Sequence, residues 1–160
     1  MGRTKRVQRL AKVSPRRLHS ALPRERLFAL LDRERPRRKI IWIAGPPGAG
    51  KTTLVASWLE ARSVRCIWYQ VDSGDADVAT FFYYLREGAA GLRTRTPLPL
   101  LTAEYLHDVF GFSRRFFREL FSRLPNGSVL VLDNYQEVSL DNRLHALIAQ
   151  AADEVGYVGH

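Results

Sequence analysis

Cysteine is nearly missing from these 160 residues: Cys66 stands alone, so no internal disulfide can staple the chain. The basic start MGRTKRVQRLAK leads into no apolar run of the length that a secretory leader or a membrane helix needs. Neither is supported, and a cytoplasmic protein without membrane contact is the expectation. The four histidines, His19, His107, His145 and His160, lie at no metal-ligand spacing and near no cysteine or acid cluster, so no zinc site is expected. Also missing is an N-K-x-D motif, which turns any nucleotide preference toward adenine rather than guanine. Acidic residues are scarce, with 16 Asp and Glu against 25 Lys and Arg.

That shortage is local. Residues 1–39 carry 14 Lys or Arg against Glu25, Asp32 and Glu34, a net of +11, whereas residues 40–160 carry 11 against 13, a net of −2. The overall charge of +9 therefore belongs to an arm. Such an arm could neutralise nucleic-acid phosphates, but it has no interleaved aromatics and no base-reading motif, and a solvated, disordered tail is the plainer reading. The division expected is a basic, disordered arm over residues 1–17 and one domain over residues 18–160, for which 46% hydrophobic content supplies a core.

Apolar periodicity orders that domain. In LHSALPRERLFALLDRERP, Leu27, Leu30 and Leu31 share helical spacing and Pro36 ends the helix. KIIWIA reads as a buried central strand, and the helix after the glycine-rich turn presents Leu54, Val55, Trp58 and Leu59. VRCIWYQV reads as a second strand, completing a β-α-β unit. Val78, Phe81, Phe82, Leu85 and Ala89 mark the next helix, and a long one follows with Leu106, Val109, Phe110, Phe117, Leu120 and Phe121 on its apolar face. PNG at 125–127 is a turn, SVLVLD a third strand, and Leu144, Leu147, Ile148, Ala151 and Val155 a last helix. The fold class expected is α/β with a mostly parallel sheet.

Gly45 to Thr52 spells G-x-x-x-x-G-K-T between an apolar run and a helix, the pattern and context of a phosphate-binding loop. Glycines let backbone N–H groups turn inward around phosphate oxygens, and the helix start adds its positive end. Lys51 contributes a point charge and the Thr52 hydroxyl a ligand for Mg²⁺. The expected nucleotide contacts are Gly45, Pro46, Gly48, Ala49, Gly50, Lys51, Thr52 and Thr53. Asp133, at the tip of VLVLD, is the natural carboxylate partner of Thr52 on the metal side. ATP and Mg²⁺ are thus the expected cofactors, with Lys51 and Asp133 the candidate catalytic groups.

Asn134 occupies the place where many ATPases have a second acid, and it accepts no proton at neutral pH. Binding is better supported than hydrolysis. Gln136 could position a water, and Glu137 is either a loop acid or a base approaching by another route.

Taken in order, ALPRERLFALLDRERPRRKIIWIAGPPGAGKTTLVASWLEA, IWYQVDSGDADVATFFYYL and FFRELFSRLPNGSVLVLDNYQEV resemble the nucleotide-binding module of the MalT-like STAND NTPases, signal-transduction ATPases of bacterial transcriptional activators. The resemblance covers most of residues 18–155 and implies a three-layer α/β/α P-loop fold. It implies a switch in which ATP favours an open state competent for self-association and ADP a closed one, with DNA contacted by a separate domain. It sets Arg24 of LPRER beside the nucleotide base, although an exposed helix-start arginine explains the residue as well. The family's fourth strand lies between the phosphate-loop strand and the strand ending in Asp133, and the chain stops before it, so an incomplete sheet is expected. A small-molecule kinase is the runner-up, with Arg93 and Arg95 as its lid arginines.

Overall fold

The computed structural model describes residues 11–15, 21–92 and 96–155. Two parallel strands form its sheet: β1 (Cys66–Gln70) pairs with β2 (Val129–Asp133) in register from Cys66 opposite Val129 to Gln70 opposite Asp133. Helices α1 (Glu25–Glu34), α2 (Lys51–Ala61), α3 (Val78–Gly88), α4 (Val109–Arg123) and α5 (Leu144–Glu154) surround it. The α/β class expected from the sequence is present.

Strand alternation divides the core in two. Ile67 and Tyr69 of β1, with Leu130 and Leu132 of β2, face a large cluster built by Phe81, Phe82 and Leu85 of α3, Phe112, Phe116, Phe117 and Leu120 of α4, and Leu144 and Leu147 of α5. Trp68, Val129 and Val131 point the other way, onto Phe28 and Leu31 of α1 and Leu54, Trp58 and Leu59 of α2. Each face of the sheet therefore carries its own helices. The start of α3 is held by Asp77, whose carboxylate accepts the N–H groups of Ala79 and Thr80.

The run KIIWIA is not the buried central strand expected of it. Residues 40–44 form no strand, and Ile40, Ile41 and Trp42 are exposed at 52%, 38% and 67%. Only Ile43 reaches the second cluster. A strand exists through the hydrogen bonds of a neighbour, and among the described residues none lies between this segment and β2 to supply them. The β-α-β unit expected around α2 is accordingly absent, and the parallel pair is made instead by β1 and β2 across α3 and α4.

Helix phase also departs from the expected faces in places. In α1 the buried residues are Phe28 and Leu31, with Leu30 exposed. Of the face expected for α4, Val109, Phe117 and Leu120 are buried, whereas Phe110 is exposed, as is Leu106 in the 3₁₀ turn that precedes the helix. For Leu106 the cause is the 3₁₀ turn Ala103–Asp108, tighter than an α-helix, which changes the angular phase before α4 begins. Val155, counted on the last helix's apolar face, lies beyond it and is exposed.

Part of the basic arm lies on the domain rather than apart from it. Residues Ala11–Val13 form a short 3₁₀ turn, Val13 packs against Gly88 and Ile67, and Lys12 pairs with Asp72 and Asp75. The remainder of residues 1–17 falls outside the described residues apart from Ser14 and Pro15.

One polar link ties α1 to α2. Asp32 accepts the indole N–H of Trp58 at 2.8 Å and the Nε–H of Arg62 at 2.9 Å. The Trp58 bond first, then the Arg62 guanidinium, hold its carboxyl below the usual carboxylate range. A depressed carboxylate contributes stability that is present above its unfolded-state pKa and lost as pH falls through the folded value. Asp32→Asn should therefore lower Tm near neutral pH and converge with the parent under acid conditions, which a pH series of melting curves would read. A constant Tm gap across the series would refute this assignment.

Candidate functional site

The glycine-rich turn leads straight into α2. Gly48 and Gly50 take φ of +79° and +77°, the left-handed region that side chains resist, and Gly50 is the residue from which α2 begins. Gly50 is constrained twice, because a Cβ there would stand 2.8 Å from the Arg24 guanidinium. The same guanidinium donates to the Ala49 carbonyl at 3.2 Å, which brings Arg24 onto the turn. The turn from Gly45 to Ala49 and Thr53 on α2 are exposed, while Gly50, Lys51 and Thr52 are half-buried. The arrangement is an open cradle at a helix start.

Lys51 is folded back on the cradle. Its Nζ donates to the Gly45 carbonyl at 2.7 Å and the Pro46 carbonyl at 3.0 Å, so backbone oxygens hold the ammonium against the turn. Thr52 donates its hydroxyl to Asp133 Oδ1 at 2.8 Å, joining positions 81 residues apart. The pairing follows from the fold: Thr52 lies on the first turn of α2 and Asp133 ends β2. Asp133 Oδ1 also accepts the N–H of Asn134, which sits at φ +59° and turns the chain into the 3₁₀ turn Tyr135–Glu137.

The sequence-derived residues thus divide. Arg24, Gly45, Pro46, Gly48, Ala49, Gly50, Lys51, Thr52 and Asp133 gather around one cradle. Asn134 touches it through its backbone, whereas Gln136 and Glu137 lie exposed on the following turn. A neighbouring aromatic chain escaped the sequence reading. Trp42 stands edge-on to Tyr135 at 5.6 Å, and the Tyr135 hydroxyl lies 3.0 Å from His145 Nδ1, whose Nε2 meets the Ser139 carbonyl at 2.9 Å. With Nε2–H donating to that carbonyl, Nδ1 is the acceptor for the phenol, and burial pushes the Tyr135 phenol up. No local pattern announces this chain; its only sequence trace is the position of Tyr135 just after Asp133 and Asn134. Cys66 is half-buried in β1.

The donor set suits a divalent cation bound to a polyphosphate: one hydroxyl and one carboxylate oxygen, already in contact, beside a backbone cradle and a lysine. Residues 24–156 match the family described as Nephrocystin 3, N-terminal. The chain belongs to the nephrocystin 3 N-terminal family. The expected likeness to MalT is also found: the chain is 33% identical over 132 residues to the HTH-type transcriptional regulator MalT of Vibrio campbellii, covering 79% of the chain and 14% of that protein. MalT of Vibrio cholerae serotype O1 is 32% identical over 136 residues, covering 82% and 14%. MalT of Cronobacter sakazakii is 30% identical over 130 residues, covering 78% and 14%. The chain therefore spans about a seventh of the length of the curated relatives it matches. No solved structure matches. Among the described residues no helix is long and apolar enough to cross a membrane.

Proposed function

We propose that this chain binds ATP with Mg²⁺ at the Gly45–Thr52 cradle and serves as the switch module of a cytoplasmic transcriptional regulator. The observation that carries the reading is the 2.8 Å bond from Thr52 to Asp133, which puts the two oxygens a Mg²⁺–nucleotide needs from a protein side by side. When bound, the metal neutralises charge on the phosphates. The glycine turn and the start of α2 hold the phosphate oxygens, Lys51 supplies a cation, and Arg24 closes the edge of the cradle where a base would lie. Helices on both faces of β1 and β2 support a three-layer P-loop fold.

The regulatory part of the proposal comes from MalT, named as a transcriptional regulator. DNA contact belongs to other domains, and self-association to the ATP-bound state. The kinase alternative gains no observation, since its lid arginines Arg93 and Arg95 lie outside the described residues.

Asn134 provides no base, and Gln136 and Glu137 lie exposed on the following turn, so hydrolysis is slow. Steady-state phosphate release should stay well below ~1 per second, the lower end of ordinary enzyme turnover. Faster release that disappears in Lys51→Ala would replace the switch by a working ATPase or kinase.

A further inference from the structure

The corner after β1 holds a cation unrelated to the phosphate cradle. Lys12 Nζ lies 2.5 Å from Asp72 Oδ2 and 3.0 Å from Asp75 Oδ2. It also stands over two rings, 5.4 Å from the centre of Tyr69 and 5.3 Å from that of Tyr84. Asp75 is only 1% exposed and is aimed by other bonds: its Oδ1 accepts the Tyr69 hydroxyl at 2.6 Å and its Oδ2 the Asp72 N–H at 2.9 Å. These contacts orient the carboxylate without the lysine. Next to it, Gly88 leaves a notch for Val13, since a Cβ on Gly88 would come within 3.1 Å of that side chain.

Carboxylates on one side and aromatic faces on the other are how proteins recognise an alkylammonium group. The ion that fills this site arrives on a three-residue turn, 60 residues away in sequence from its first partner.

We propose that Tyr69, Asp72, Asp75 and Tyr84 form a binding site for a primary alkylammonium, filled here in cis by Lys12, so that residues 11–13 act as a tethered ligand of the domain. The inference does not rest on the nucleotide reading. It changes the meaning of the arm: removing residues 1–15 empties a site rather than trimming a tail.

The test uses the full chain carrying Lys12→Ala and n-propylammonium chloride, which replaces the atoms the substitution removes. Lys12→Ala should melt below the parent. Propylammonium should raise the Tm of the variant in a saturable way, recovering at least about half the loss by mass action on the folded state. Tetramethylammonium at equal ionic strength should not, and the parent, whose site is filled, should respond to neither. An equal response of parent and variant, or of the two amines, overturns the proposal. Should Lys12→Ala fail to fold, the parent labelled with ¹⁵N-lysine still decides. One of its four lysine ammonium groups should exchange slowly with water and show contacts to tyrosine ring protons, a signal lost in Asp75→Asn. Four freely exchanging ammonium groups in the parent would equally overturn it.

Discussion

Lys51→Ala should lose at least about 100-fold in affinity for Mg²⁺–ATP while folding as the parent does. Charge-assisted hydrogen bonds contribute roughly 1.5–3 kcal/mol each, so two of them between the ammonium and phosphate oxygens correspond to about 10² or more in binding. In the structure those donors go to the Gly45 and Pro46 carbonyls, oxygens a phosphate can replace. The fold should not depend on them, because Lys51 is half-buried at a helix start and these bonds run to carbonyls of the adjoining turn. Calorimetry with circular dichroism as control measures both halves. Equal affinity of variant and parent would remove Lys51 from the site.

Phe82→Ala should produce the largest loss of stability. Its side chain is 1% exposed and its ring centre lies 5.4 Å from Phe81, 5.0 Å from Phe112, 4.9 Å from Phe116 and 5.9 Å from Phe117. It thus packs α3 against three phenylalanines of α4. Emptying such a position costs about 3–5 kcal/mol, a large part of the ~5–15 kcal/mol that holds an ordinary domain. Phe110→Ala, on the outward side of α4 with 43% exposure, should cost about 0.5 kcal/mol or less. Urea unfolding of the three proteins reads the contrast in midpoint. Similar losses at the two positions would mean that Phe110 is buried in the core as Phe82 is.

What was legible in the sequence was whatever is decided locally. The start of α2 at Lys51 follows from two glycines and a helix former, and the end of β2 at Asp133 from an alternating valine–leucine run closed by an acid. Joining those two ends was enough to bring Thr52 and Asp133 together. Most of the apolar face of α4 was legible, as buried Val109, Phe117 and Leu120 attest, but its start was not, because the six-residue 3₁₀ turn holding Leu106 looks, as a string of residues, like another turn of α-helix. Nor was the state of residues 40–44: their composition suits a strand, but a strand is completed by a neighbour, and composition does not say whether one is present. Lys12 illustrates the same limit from the other side. It reads as one charge in a basic run, and only the placement of Asp72 and Asp75 gives it a partner.

The central claim is that the Gly45–Thr52 cradle, with Asp133, holds a nucleotide through its phosphates and a metal. Calorimetric titration of the parent chain with ATP, with and without Mg²⁺, tests it most directly. The account predicts saturable binding of one ATP per chain that is strengthened by Mg²⁺ and loses that strengthening in Asp133→Ala. No saturable heat at millimolar ATP, or binding indifferent to Mg²⁺ in the parent, would contradict it.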